Sequence, residues 1–543
     1  MAASSAPDWN LADVFEQVAD CVPERDALAH GVEGAARTWR ELDRRTNALA
    51  RHLARCHAPG AKLSLYAHNR PEYMEGFVGA IKARLVPVNV NYRYREDELV
   101  YLFDNSDSEV VVYEATYAAR VAAIRDRLPR VREWIELEDG APGNAFATPY
   151  EEIVAAGAER LEIARSGDDL FFLYTGGTTG MPKGVMWPQS ALWRTIGGGG
   201  DVLAGERPSE DMAQQRERIL DGKHAQRLLP GSPLMHGTGL FTALGAFGGG
   251  GAVFTLPSRS LDADELWRTV AARRVTHLSI VGDAFAKPML RSLDAGASGL
   301  DLSCVKQITS SGVMWTPEVK RGLLRHLPQA TLFDSFGSSE ATGFGAQITT
   351  RDSDVSLAKF QLGPNCKVFT PDGREIAPGS EEPGFVARSG PIPLGYYKDE
   401  KKTAETFKVI QGRRWSIPGD WCTVNADGTL NLLGRGSVCI NSGGEKIHPE
   451  EVEEALKSHT AVYDAVVVGV PDEKWGEAVT ALVELRPAVR ASEDELRGHV
   501  RDRLAGYKTP KRVLFVETIG RAPSGKVDYK ALKAHALRAL GGA

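Results

Sequence analysis

The sequence predicts a layered α/β fold with three parts: a large N-terminal portion, a small antiparallel β subdomain and a compact C-terminal α/β unit. Three observations carry this. Strand-like and helix-like patterns alternate through the first 160 residues. After Leu362 the texture shifts to short strand-like runs separated by the turn signals Asp372-Gly373 and Asp427-Gly428. After Gly434-Arg435-Gly436 an α/β pattern resumes. A chain of 543 residues is also too long for one core.

Ala27 to Arg55 reads as a short strand followed by an amphipathic helix from Trp39. Lys62 to Ala67 reads as a strand, Pro71 to Ala83 as a helix and Leu85 to Asn89 as a strand. Glu96 to Asn105 is then a helix and Glu109 to Tyr113 a strand. The apolar run Leu170 to Leu173 reads as a buried strand, and the polar stretch Gly205 to His224 as a surface excursion. The Gly197 to Gly200 and Gly248 to Gly251 tracts allow close backbone approach or leave space beside a ligand. Lys367 to Thr370 and Thr429 to Leu433 are strands of the β subdomain. Pro449 opens a helix with Glu450, Glu451 and Glu453 in its first turn, where carboxylates suit the helix dipole. Ala465 to Val470, Ser492 to Leu504 and Arg512 to Val516 follow as strand, helix and strand. The domain boundary falls near 434–438, giving domains 1–436 and 437–543.

Composition excludes several function classes. Lys+Arg is 65 and Asp+Glu is 71, a net charge of −6, so no basic nucleic-acid surface is expected. The six cysteines sit at no metal-finger spacing and are too sparse to staple the fold, which fits a reduced cytoplasm. The N-terminus lacks the pattern of a secretory signal, and no run of about 18 apolar residues suggests a membrane span.

The strongest local signal is Tyr174-Thr175-Gly176-Gly177-Thr178-Thr179-Gly180-Met181-Pro182-Lys183-Gly184. Glycines let backbone N–H groups approach a phosphate, threonines add hydroxyl donors and Lys183 adds a cation. It is not a Walker A loop, because Pro182 stands where that pattern requires glycine.

This loop resembles the signature of the adenylate-forming enzymes, which include acyl-CoA synthetases, aryl-CoA ligases, luciferases and peptide-synthetase adenylation domains. Further motifs of that family follow in order. Asp334-Ser335-Phe336-Gly337-Ser338-Ser339-Glu340 resembles its aromatic-Gly-x-Thr-Glu motif. The resemblance implies that Phe336 flanks adenine, Ser339 contacts phosphate and Glu340 holds Mg²⁺. Ile417-Pro418-Gly419-Asp420 resembles Thr-Gly-Asp, which gives Asp420 the ribose hydroxyls, and Gly434-Arg435 implies Arg435 at the ribose. Ser442-Gly443-Gly444-Glu445-Lys446 resembles the loop lining the pantetheine tunnel, with Gly443 and Gly444 beside the narrow arm. Pro523-Ser524-Gly525-Lys526 carries the lysine that the family uses as its catalytic cation.

The resemblance spans about Phe15 to Leu532 and implies an N-terminal domain of two α/β layers plus a β subdomain, with a small mobile C-terminal domain. Ser437 stands at the hinge where the family has Asp or Lys, and Phe336 replaces a frequent Tyr. The segment Leu234-Met235-His236 resembles one that bears a gate beside the acyl channel. His236, Gly282, Ser311 and Gly312 are the candidate pocket residues, and their Gly-rich surroundings imply a long or bulky apolar acid. In texture the chain resembles actinobacterial fatty-acyl and steroid side-chain CoA ligases. The implied activity is acid–CoA ligation with ATP, Mg²⁺ and coenzyme A. The alternative is an acyl-AMP ligase that loads a carrier protein in trans. The expected partners are small molecules, with no nucleic acid; whether the chain forms a homo-oligomer stays open.

Overall fold

The computed structural model describes residues 9–175, 181–200, 205–296, 299–312, 315–353, 359–380, 382–435, 440–442, 445–447, 449–472, 476–504, 506–521 and 527–541. The chain divides into two compact units, Met1–Leu357 with Ser389–Lys408, and Ala358–Arg388 with Val409–Ala543. The expected 436/437 boundary lies outside the described residues.

The first unit is built on two sheets. One runs Arg37–Thr38, Asp26–His30, Ala252–Thr255, Arg227–Pro230, His277–Ile280, Gln307–Ser311, Thr331–Ser338 and Ala341–Thr349. Its inner strands are parallel and its two ends antiparallel. The other runs Gly395–Tyr396, Lys183–Pro188, Leu170–Thr175, Val86–Asn89, Lys62–Tyr66, Ser108–Glu114, Glu133–Leu137 and Thr148–Pro149. It is parallel from Leu170–Thr175 onward and antiparallel at the Lys183–Pro188 edge.

Continuous apolar strands follow from burial on both faces. Val110 and Val112 join one core, whereas Val111 and Tyr113 join another. Leu63 and Leu65 separate from Tyr66 in the same way, as do Phe171 and Leu173 from Phe172 and Tyr174. In the first sheet Leu28, Leu228 and Val253 face the shared core, while Ala29, Leu229 and Phe254 face a third. The shared core holds residues of both sheets and of the helices Trp39–Cys56, Pro71–Lys82 and Gly237–Gly248. Every residue of Pro71–Lys82 is buried, so its charges must be paired. Glu75 accordingly meets Arg37 at 2.9 Å and Arg45 at 2.8 Å, and Lys82 meets Asp43 at 2.5 Å.

The second unit contains the expected antiparallel β region. Lys359–Leu362 and Asp420–Val424 flank Thr429–Arg435, and Cys366–Phe369 pairs with Gly384–Ser389. Gly373 and Gly428 take φ of +87° and +81° in the Asp-Gly turns. The C-terminal sheet pairs Val462–Asp472 with Gly476–Leu485, which also runs parallel to Arg512–Val516. Ala465 and Val467 pack with Val452, Leu456 and Leu496 on one face. Val466, Val468 and Val470 pack with Ala536 on the other.

Two local expectations gain detail. The polar stretch 205–224 contains the helix Met212–Asp221, capped by the Asp211 side chain on the Gln214 N–H. Gln215 and Ile219 are its buried face. Gly248, Gly249 and Gly251 serve close packing: a Cβ there would lie 2.4 Å from Trp193, 2.4 Å from the His224 carbonyl and 2.1 Å from the Gln226 carbonyl.

Candidate active site

The Gly/Thr loop joins two antiparallel strands, Leu170–Thr175 and Lys183–Pro188, with Thr175 opposite Lys183 at its mouth. Gly176, Gly177, Thr178, Thr179 and Gly180 lie outside the described residues. Lys183 Nζ donates to the Asp399 carboxylate. That bond, chief among several causes, holds Asp399 below the usual aspartate range. Asp399 also caps Glu400–Thr406 by accepting the Lys402 N–H at 2.8 Å. Lys183 is therefore held in place by Asp399. A cavity of about 290 Å³ adjoins it, lined by Met181, Lys183, Lys398 and Asp399 among others.

The second motif forms the tight turn between Thr331–Ser338 and Ala341–Thr349. Gly337 is closely packed there: a Cβ would lie 3.1 Å from the Gly343 nitrogen and 3.2 Å from the Ala341 carbonyl. Phe336 is buried with its ring centroid 5.4 Å from that of Phe344. Two positions earlier, Asp334 is braced by Lys320 Nζ at 3.0 Å, which also donates to Gln347 at 2.9 Å. Burial raises the Asp334 pKa against the pull of Lys320. The Glu340 carboxylate accepts from the Tyr396 hydroxyl at 2.7 Å. Trp187 Nε1 donates to the Ser339 carbonyl at 2.9 Å, tying this turn to the strand that leaves the Gly/Thr loop.

The four pocket candidates sit beyond the carboxyl ends of neighbouring parallel strands, where α/β sheets bind ligands. Arg227–Pro230 leads to His236, which is half-buried and N-caps Gly237–Gly248. His277–Ile280 leads to Gly282, whose N–H donates to Ser310 Oγ at 2.9 Å. Ser311 lies opposite Ser335 in register. Gly312 has φ +91°, and among the described residues a Cβ on it would meet Val281 at 3.8 Å, an ordinary contact. Gly239, by contrast, admits the Pro233 carbonyl, 2.5 Å from where a Cβ would stand.

In the second unit Asp420 is buried at the start of its strand, and its Cα pairs in register with that of Arg435. The backbones of the two residues that the resemblance assigns to the ribose thus lie side by side. Ser437, Gly443, Gly444 and Lys526 lie outside the described residues.

Sequence reasoning missed Tyr396, Asp399 and Trp187. Each acts through a partner 56 to 216 residues away, so no local spacing announces it. Among the described residues no cluster of three or more His, Cys, Asp or Glu could cage a metal. A single hard carboxylate still fits Mg²⁺, which commonly takes one or two carboxylates and completes its shell with substrate phosphates and water. Glu340, held by Tyr396 on the turn tied to the Gly/Thr hairpin, is the carboxylate that the resemblance would assign to it.

The sheets and the motifs they carry define a nucleotide-handling enzyme. The chain belongs to the AMP-binding enzyme family, whose model matches residues 15–397, and the family's C-terminal domain model matches residues 451–526. It is 42% identical over 536 residues to a 3-oxocholest-4-en-26-oate–CoA ligase of Rhodococcus rhodochrous, covering 96% of this chain and 95% of that protein. It is also 42% identical over 539 residues to a medium/long-chain-fatty-acid–CoA/3-oxocholest-4-en-26-oate–CoA ligase of Mycobacterium marinum, covering 96% of each. The solved anthranilate CoA ligase AuaEII in complex with anthranoyl-AMP shares the fold, with TM-score 0.84 and 21% identity over 99% of this chain and 100% of that one. No helix among the described residues is long and apolar enough to cross a membrane.

Proposed function

We propose that this chain is an ATP-dependent acid–CoA ligase that activates fatty or steroid side-chain acids. The observation that carries this reading is 42% identity, along nearly the whole chain, to ligases named for those acids. The small side chains at Gly282, Ser311 and Gly312 suit a bulky apolar tail.

The chemistry proceeds in two halves. A carboxylate oxygen attacks the α-phosphorus of ATP, the bond from that phosphorus to the bridging oxygen breaks, and pyrophosphate leaves. The CoA thiol then attacks the acyl carbonyl, loses its proton, and AMP departs with the former carboxylate oxygen. The first step brings an anion to a polyanion. Donors of residues 175–183, with Lys183 held by Asp399, offset that repulsion. Mg²⁺ held by Glu340 would neutralise phosphate charge. Phe336 flanks adenine, Asp420 and Arg435 take the ribose, and Ser339 contacts phosphate. Lys526 supplies the cation between carboxylate and α-phosphate, and rotation at Ser437 exchanges it for the thiol channel lined by Gly443 and Gly444. Sequence resemblance supports these assignments. The described cysteines are free thiols, which suits a cytoplasmic setting.

The test is thioester formation with free CoA across acetate, benzoate, medium-chain, long-chain and steroid acids. The reading expects the highest kcat/KM on long-chain or steroid acids. Fastest turnover on acetate, or acyl transfer only to a carrier protein, would overturn it.

A further inference from the structure

Two asparagines of one sheet grip the segment of the other sheet that leads to His236. Asn69 follows Lys62–Tyr66. Its Nδ2 donates to the Pro230 carbonyl at 3.1 Å and the Ser232 carbonyl at 3.0 Å, and its Oδ1 accepts the Leu234 N–H at 2.7 Å. Asn89 ends Val86–Asn89 and is buried. Its Nδ2 donates to the Met235 carbonyl at 2.6 Å and the Tyr174 carbonyl at 2.9 Å, and its Oδ1 accepts the Tyr174 N–H at 2.5 Å.

The partners of Asn89 are significant. Tyr174 immediately precedes the Gly/Thr loop, and Met235 immediately precedes His236. One planar amide therefore spans the nucleotide side and the acid side, using both of its donors and its acceptor oxygen. A serine hydroxyl has a single donor and a shorter reach, so it cannot bridge both. Asn69 grips only the acid-side segment, which makes it the natural comparison.

We infer that Asn89 is a positioning residue for acyl-adenylate formation, setting the register between the phosphate loop and the acid-side segment. This rests on the function proposed above. The bond made joins a carboxylate oxygen to the α-phosphorus, and the bond broken releases pyrophosphate, so the two reactants must be aligned across this gap. Once they are joined as acyl-adenylate, the register no longer matters to reactivity. The requirement for Asn89 is therefore confined to the first half-reaction.

The experiment compares Asn89→Ser and Asn69→Ser in the full-length enzyme, using palmitate. It measures ATP–pyrophosphate exchange and, separately, thioester formation from supplied palmitoyl-adenylate and CoA. For Asn89→Ser, exchange falls roughly 10- to 100-fold through kcat, while the thioester step falls less than about 3-fold, because small misplacements of reacting groups act on the joining step. For Asn69→Ser, the change falls on the KM for palmitate. Equal loss of both half-reactions in Asn89→Ser overturns the inference, as does undiminished exchange. If Asn89→Ser does not fold, Asn89→Asp keeps the volume and the acceptor oxygen and is read by the same asymmetry. A wild-type chain that exchanges pyrophosphate with no acid would sink the functional reading instead.

Discussion

The half-buried Glu340 carboxylate accepts from the Tyr396 hydroxyl at 2.7 Å. A hydrogen bond to a charged group contributes about 1.5–3 kcal/mol. Tyr396→Phe therefore raises the KM for Mg·ATP roughly 10-fold or more while leaving thioester formation from supplied acyl-adenylate nearly unchanged, as a Mg²⁺ titration of both half-reactions would show. An unaltered Mg²⁺ dependence would count against the assigned role of Glu340. Lys320 and Asp334 set a different balance, because Lys320 is 1% and Asp334 8% exposed. Lys320→Met leaves a buried charge without its counter-ion and costs about 3–5 kcal/mol in denaturant unfolding. The double variant with Asp334→Asn regains much of that loss, whereas simple additivity would show that the pair is not coupled.

At the scale of elements, the ion pairs of the buried helix Pro71–Lys82 make it one contributor to acid stability. Burial alone would raise Glu72, but Arg70 and Arg37 outweigh it and lower its pKa from 4.5 to about 2. The folded value lies below the ordinary one, so the stabilisation is complete above about pH 4.5 and is lost as pH falls toward 2. Urea unfolding across that window should show a shallower loss for Glu72→Gln than for wild type. Parallel curves would contradict the assignment.

This scale also shows what the sequence reveals. Glu96–Asn105 and Arg512–Val516 match their expected bounds because apolar spacing and local end signals define them. The insertion of Ala252–Thr255 between Asp26–His30 and Arg227–Pro230 could not be read, since its pairing with Asp26–His30 joins residues more than 200 apart. Met212–Asp221 was hidden because its buried face is little more than Gln215 and Ile219. The family was legible in the Gly/Thr loop and the Phe336–Glu340 turn because each motif is written in adjacent residues. Asn89, Asp399 and Tyr396 were not, because each acts only through a distant segment.

For the whole molecule, the account requires two half-reactions with different needs: the first joins two anions, and the second transfers an acyl group that is already activated. Resemblance gives the joining cation to Lys526, the last residue of the matched C-terminal family model. The most direct measurement is of Lys526→Ala, with ATP–pyrophosphate exchange and thioester formation from supplied acyl-adenylate measured side by side. The account predicts that exchange falls by roughly 10²–10³-fold, the scale of losing one well-placed charge-stabilising group, while thioester formation stays within about 3-fold. Undiminished exchange, or equal loss of both steps, would contradict it.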